Sequence, residues 1–241
     1  MTGTAPDGTS ASDDPIPTSI TSDEERERIK DVLTAEYSLL TTMLSTVWSA
    51  TLTRTSIFLI TLSTSGIALG FAAQPGIDRR ALAVFVLPLI LFLGVGTFVR
   101  VVQLQREAIV YITGLNRIRW FFQEAAPGSR PYFVLPPYDD EVAIFRSPGT
   151  GMSRRPPGRN FLRLIVQMQG IVSVVAGAVA AAFGGLATAP AGRTVMLLVA
   201  TAAFIVTLAS LLLWWRRSIA ELFRSIRPLH PTPPDQFDAP F

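Results

Sequence analysis

Residues 81–99 read ALAVFVLPLILFLGVGTFV, a stretch without one charged side chain. A hydrocarbon core about 30 Å thick is crossed by roughly 20 helical residues, so this stretch predicts a transmembrane helix. Pro88 lies inside it, and a modest kink is predicted there because proline cannot donate to the carbonyl four residues earlier. The stretch therefore indicates a protein whose solvent includes lipid.

Three further stretches are equally free of charge, namely residues 55–76, 164–192 and 194–215. Hydrophobic residues make up 49% of the 241-residue chain and charged residues only 16%, which also indicates a membrane environment. The connections at residues 74–80 and 189–192 are short, so successive spans should lie side by side. We predict an all-α membrane protein of two transmembrane helical hairpins, four spans in all, with cytoplasmic helical extensions.

The sequence on both sides of the first hairpin is also typical of helices. After Arg100 it stays helix-like through Glu124, so a helix from residue 81 to 124 would be about 66 Å long, and roughly half of it would leave the bilayer. Before the first span, Ser22 and Glu25 form a capping box that predicts a helix start. An apolar stripe follows at spacings of four and three and comprises Leu33, Tyr37, Leu40, Leu44 and Val47.

This stripe has two interpretations. It packs against the extension of the second span, with Leu40 opposite residues 101–112, or it lies on the lipid surface. Packing is favoured because the polar face of the helix carries acidic rather than basic side chains.

The predicted organisation has five parts. Residues 1–21 form a disordered N-terminal tail, residues 22–125 the first helix, hairpin and extension, and residues 126–161 a cytoplasmic loop and linker. Residues 162–227 form the second hairpin, and residues 228–241 a disordered C-terminal tail. The two tails are rich in small residues and proline and have little apolar surface to bury.

Basic residues predict the orientation. Of the 21 basic residues, only Arg79, Arg80 and Arg193 fall in the two short turns. The excess on the other side predicts a multi-pass protein of the cell membrane with both termini and the central segment in the cytoplasm.

Composition argues against several kinds of activity. The chain has no cysteine, and its one histidine, His230, lies in the proline-rich tail. A thiolate metal site and a histidine-based triad therefore have no residues to form them. We expect no enzyme activity, no catalytic residue, no metal and no cofactor. The arginines sit where membrane topology places them, so nucleic acid is not an expected partner.

The candidate site for an anionic ligand or a partner is Asn116, Arg117 and Arg119, with Glu107 and Glu124 nearby. Arginine forks suit phosphate, so a nucleotide or a lipid headgroup is a suitable ligand. The alternative is a solvated helix face whose arginines only follow the topology.

Two weaker motifs have similar alternatives. Clustered carboxylates at Asp139, Asp140 and Glu141 could hold a divalent cation, although adjacent acids on a loop usually stay hydrated. The glycines at 149, 151 and 158 match no phosphate-binding spacing and indicate a flexible linker. Gln167 and Gln169 are the main large polar side chains in the spans, and the lack of ionisable groups there argues against an ion-coupled transporter.

Three segments resemble a known family: residues 53–59 (TRTSIFL), 91–100 (LFLGVGTFVR) and 114–119 (GLNRIR). They are similar to a family of uncharacterised multi-span membrane proteins from actinobacteria, over about residues 45–145 of this chain. The family has no assigned activity, so the resemblance implies membrane location only. The architecture is also loosely similar to two-span membrane effectors of nucleotide-signalling systems.

Two hypotheses for function follow. In the first, the chain is a non-enzymatic membrane protein that presents a cytoplasmic helical module at the inner side of the lipid bilayer for interaction or assembly, including homo-oligomer formation, with the protein partner unknown. In the second, it is a pore-forming or ligand-gated effector whose path is lined by Thr61, Ser63, Thr64 and Ser65.

Overall fold

The computed structural model describes residues 23–71, 79–147 and 168–234, and the regular secondary structure in these ranges is entirely helical. The long helices are α1 (Asp23–Phe71), α2 (Arg79–Ala125), α4 (Met168–Thr188) and α5 (Arg193–Ser225), and the short α3 is Glu141–Arg146. Among the described residues, four helices are long and apolar enough to cross a membrane. The predicted all-α membrane class is thereby confirmed.

Helices α1 and α2 are each continuous and longer than a bilayer requires. They contain 49 and 47 residues. At 1.5 Å per residue each helix is about 70 Å long, more than twice a hydrocarbon core. The structure therefore contains, as the sequence predicts, helix before the first apolar stretch and after the second one without a break.

The apolar stripe of α1 packs on α2. Leu44 and Val47 contact Leu104 and Ala108 in one cluster. Nearer the start of α1, a methyl group of Leu40 would lie 2.9 Å from a Cβ atom added at residue 114, which is glycine. Residues closer to the start of α1 thus contact residues closer to the end of α2, so the two helices run antiparallel along this stripe.

This register corrects one expectation. The sequence predicts Leu40 opposite residues 101–112, but Leu40 lies over Gly114. The reason is the contact farther along the pair, where Phe58 packs against Gly94 and fixes the register of the two helices.

Helix α2 lies at the centre of the fold and contacts α1, α4 and α5. A Cβ atom at Gly94 would lie 3.0 Å from Cζ of Phe58 on α1 and 3.4 Å from Cβ of Ala176 on α4. Glycine is therefore the residue that lets three helices approach at one point. The core around it includes the buried side chains of Phe98, Val102, Ile109, Val172, Ile219 and Leu222.

Helices α4 and α5 also run antiparallel, with small residues between them. A Cβ atom at Gly177 would lie 3.1 Å from Phe204, and one at Gly184 would lie 3.3 Å from Val199. Helix α5 runs parallel to α2, since Phe98 lies against Trp214 with 6.1 Å between the centroids of the tilted rings, and farther along both helices Arg106 donates a 3.2 Å hydrogen bond to the Ser218 hydroxyl.

The segment that follows α2 is more structured than a loop. A 3₁₀ helix covers Pro127–Tyr132, and α3 covers Glu141–Arg146. Asp140 caps α3 by accepting a hydrogen bond from the Ala143 N–H at 3.1 Å. The sequence already contains this signal, an aspartate immediately before an apolar helical turn. The predicted N-terminal tail, residues 74–78 of the predicted first connection and the predicted linker at 148–161 lie outside the described residues.

The meeting point at Gly94 generates a test with an internal control. Gly94→Leu should force α1 and α4 away from α2 and lower the free energy of unfolding by about 1–3 kcal/mol, the usual result of overpacking. Gly96→Leu should have little effect, because Gly96 is exposed and a Cβ there meets nothing within 4 Å. Thermal unfolding in detergent, followed by helical circular dichroism, measures both variants. Equal midpoints for the two would show that the three-helix contact is absent.

Candidate functional site

Asn116 of the predicted anion site lies inside the protein. Its side chain is fully buried, and its Nδ2 donates a hydrogen bond to the Tyr138 carbonyl at 2.7 Å. Its Oδ1 accepts from Nη1 of Arg119 at 2.5 Å. Both ends of the amide therefore have protein partners, and Asn116 fastens the chain after α2 back onto that helix.

A buried carboxylate lies beside this amide. Asp139 is 1% exposed and accepts hydrogen bonds from three donors. Nε of Arg117 lies 2.7 Å from Oδ2, the Leu229 N–H lies 2.9 Å from the same oxygen, and the His230 N–H lies 2.7 Å from Oδ1. A charge buried in this way is stable only when it is paired and hydrogen-bonded, and both conditions hold here.

The chain after α5, residues 226–234, runs across this site and is named here the C-terminal strap. Nη2 of Arg117 donates to the Arg227 carbonyl at 2.9 Å. Asp140 accepts from the Thr232 hydroxyl at 2.6 Å and from the Thr232 N–H at 3.1 Å. One arginine and two adjacent aspartates thus hold the strap at three places.

His230 adds an aromatic contact. Its ring stacks on Trp120 of α2 with 4.3 Å between centroids and an interplanar angle of 9°. Its carbonyl accepts a hydrogen bond from the Asp139 N–H at 3.2 Å. Residues 228–234 belong to the tail that the sequence predicts to be disordered, and in the structure they make these contacts. Their small apolar surface is accompanied by hydrogen bonds to the buried Asp139 and the half-buried Asp140, which composition does not reveal.

Asp139 and His230 have lowered pKa values. For Asp139, burial acts to raise the pKa, but the Leu229 N–H, the Arg117 guanidinium and the His230 N–H together hold it below the usual 3.8. For His230, burial lowers the pKa below 6.5, the Asp139 charge opposes this change, and the Arg117 charge adds to it. The carboxylate is accordingly ionised and the imidazole neutral at pH 7.

The remaining candidates are divided among other contacts. Glu107 pairs with Arg100 at 3.6 Å and Glu124 with Arg130 at 3.3 Å, so neither joins the arginines at 117 and 119. The contact of Asn116, Arg117 and Arg119 with an anionic ligand stays a prediction, and the geometry gives Asn116 and Arg117 a structural role first.

The carboxylates at 139–141 are arranged to accept hydrogen bonds. Asp139 and Asp140 receive backbone N–H groups from the strap and from α3, while the exposed Glu141 begins α3. Within the described ranges, no three histidine, cysteine or acidic residues come close enough to share a metal ion. The three glycines at 149, 151 and 158 lie outside these ranges.

Three of the four hydroxyl groups of the pore hypothesis bond to their own helix. Thr61, Ser63 and Thr64 each donate to the carbonyl four residues earlier, at 2.9 Å. Ser63 and Thr64 are exposed on the outside of the single chain. A path lined by them would therefore have to lie between copies rather than within one chain.

Two open clefts lie at the far end of α2. One, of about 420 Å³, lies between Trp120 and residues 133–138, with Arg130 at its edge. The other, of about 660 Å³, lies between the start of α1 and the end of α2. Its charged lining is Asp23, Glu27, Glu124, Arg26 and Lys30, a mixture that selects neither sign of ligand charge.

Comparison of the chain with protein-family models, curated proteins and solved structures finds no match. The resemblance to the actinobacterial family stays a prediction.

The buried carboxylate can be tested with an isosteric variant. Asp139→Asn removes the charge that faces Arg117 and turns an amide N–H₂ towards one of the donors. Breaking a buried ion pair costs about 3–5 kcal/mol, and the low end applies because Arg117 is partly exposed. Amide exchange at Leu229 and His230 should accelerate on the order of a hundredfold. Glu141→Gln removes an exposed neighbouring charge and should leave exchange unchanged; equal acceleration in both variants would contradict the strap contact.

A second test uses the single histidine, whose NMR signal needs no assignment. Its pKa in the folded protein should lie below 6.5, and Trp120→Ala, which uncovers the ring, should return the pKa towards that value. Because both pKa values are lowered on folding, the strap is most stable above about pH 6.5. It should weaken as the pH falls through the pKa of His230, and again through the pKa of Asp139. An imidazole that titrates normally in the unmodified protein would show that the ring is not covered by Trp120.

Proposed function

We propose that this chain is a four-span protein of the cell membrane that serves as a non-enzymatic interaction or assembly module. Helices α1 and α2 form one transmembrane hairpin, and α4 and α5 form the other. The first half of α1, the second half of α2, α3 and the C-terminal strap form a cytoplasmic helical layer. Support comes from the antiparallel contacts within each helix pair and from the apolar stretches of all four helices.

Charge supports the orientation. Arg79, Arg80 and Arg193 lie at the starts of α2 and α5, and the other basic residues lie beyond the opposite ends of the spans. The positive-inside bias then puts both termini and residues 100–163 in the cytoplasm. Trp214 and Arg216 near the end of the fourth span are a pair typical of that membrane surface.

The observation that carries the proposed role is the outer face of α1. Its inner stripe is covered by α2, but Val32, Leu39 and Met43 on another face are 67%, 49% and 43% exposed. These residues precede the first span by more than ten positions, so lipid does not cover them. A row of exposed apolar side chains on a water-facing helix is typical of a surface that binds protein.

The polar groups of the layer agree with a structural role. Arg117, Asp139 and Asp140 hold segments of this chain together, and none of them lines either of the two clefts described above. The pore hypothesis gains no specific support, since the hydroxyl groups of residues 61–64 bond to their own helix.

Orientation is testable because the chain lacks cysteine. Ala191→Cys lies in the turn between α4 and α5 and should react with a membrane-impermeant maleimide added to intact cells. Gly128→Cys lies in an exposed turn after α2 and should react only after the cells are opened. Reaction of the cysteine at 128 in intact cells would overturn the cytoplasmic assignment.

The interaction surface is testable by photo-crosslinking in living cells. A photoreactive phenylalanine at Leu39 or Met43 should give one covalent adduct, of twice the chain mass for self-assembly or of another fixed mass for a different partner. The control positions Thr34 and Thr41 are exposed on the opposite side of the same helix, about 140–180° around its axis from Leu39 and Met43, so they should give none. No adduct at 39 or 43 would contradict the module.

The alternative function has a separate readout. Purified protein in liposomes should pass ions no faster than empty liposomes, because the proposed module does not include an ion path. Rapid flux would favour the pore hypothesis over the module.

A further inference from the structure

Arginines from three helices lie at one level of the fold. Phe58 meets Gly94, so Arg54, four residues before Phe58, and Arg100, six residues after Gly94, lie within about 3 Å of the same height on antiparallel helices. Helix α5 runs parallel to α2 and Trp214 meets Phe98, so Arg216 is level with Arg100. With Arg217 these residues form what is named here the arginine collar: Arg54, Arg100, Arg216 and Arg217.

The collar lacks enough negative charge to balance it. Arg54, Arg216 and Arg217 are exposed, and within the described ranges none of them is in an ion pair. Arg100 is half-exposed and pairs with Glu107. Four arginines and one contacting carboxylate leave three positive charges at this level.

The surface changes character directly beside the collar. On the side of the spans, large apolar side chains are exposed on all three helices, among them Ile57, Ile60, Leu89, Phe92 and Leu213. Two tryptophans near the collar, Trp48 and Trp214, are 43% and 42% exposed. On α5, Leu213, Trp214 and Arg216 follow in the order of the chain region, interface and headgroups of a lipid leaflet. On α1, Trp48 lies about 9 Å beyond Arg54, on the side away from the span.

We propose that the arginine collar binds the phosphate groups of anionic phospholipids in the leaflet that faces the cytoplasmic layer. The inference rests on the proposed membrane placement and adds the class of lipid that the surface selects. A guanidinium fork matches the phosphate oxygens of any phospholipid, but only an anionic headgroup leaves net negative charge to balance the collar. A basic side chain near an anionic leaflet contributes about 1 kcal/mol, which corresponds to a roughly fivefold preference per arginine.

Tryptophan quenching measures this preference on the full-length protein. The protein is reconstituted in mixtures of phosphatidylglycerol and phosphatidylcholine in which only one lipid carries bromine on its acyl chains. Quenching should be stronger when phosphatidylglycerol is brominated, because Trp214 lies between the exposed apolar side chains and the arginines, where that lipid is enriched. Arg216→Gln with Arg217→Gln should lower the relative binding constant by about fivefold for each arginine removed.

Two matched variants complete the experiment. Arg26→Gln with Arg28→Gln removes the same charge about 40 Å away along α1 and should leave the preference unchanged. Arg216→Lys with Arg217→Lys keeps the charge and should retain most of the preference. An unchanged constant in the glutamine variant at 216 and 217, or an equal loss in the variant at 26 and 28, would overturn the collar. Failure of the proposed membrane placement looks different, since then neither brominated lipid would quench the unmodified protein.

Discussion

The packing of α2 against three helices at once is the constraint on which the rest of the structure depends. At Gly94 the absence of a side chain lets Phe58 and Ala176 approach from two sides. Because α1 and α2 are unbroken rods, the register set there holds along their whole contact. It places Leu40 over Gly114, about 30 Å farther along α2. The contact of Phe58 with Gly94, between the apolar stretches, thus determines which side chains of α1 and α2 meet in the more polar parts of the two helices.

The contacts of α2 change in kind from one end to the other. Around Gly94 they are apolar packing contacts. Farther along, Gln105 accepts one hydrogen bond from Trp215 of α5, and Arg106 donates one to Ser218 of α5. At Arg117 they become an ion pair with a buried carboxylate. This order follows from the cost of ionised groups in hydrocarbon, which confines them to regions near water or to compensated sites. The contacts of α2 therefore change from apolar to polar in the same direction in which its sequence predicts a change from lipid to water.

Local patterns predict the helices well and the site poorly. Charge-free stretches and an apolar stripe at spacings of three and four are visible within short windows of sequence. They predict the extents of α1 and α2 almost to their ends. The strap depends on His230 meeting Asp139, 91 positions away, and no local pattern contains that contact. The predicted site contains residues of α2 that do form a cluster, yet Asn116 and Arg117 bind the protein's own backbone and carboxylate. The cap at Asp140 is readable from sequence, whereas its second role of binding Thr232 is not.

The arginines show why a basic residue near a span has no fixed meaning. Arg117 and the arginines at 54, 216 and 217 all satisfy the positive-inside bias, so topology alone does not separate them. What separates them is the counter-charge. The chain supplies a buried aspartate for Arg117, and that pair ties the strap after α5 to α2. It supplies no carboxylate within ion-pair distance for the other three in the described ranges. An arginine with an internal partner ties two segments of the chain together, whereas the other three are the ones to which our proposal assigns lipid headgroups.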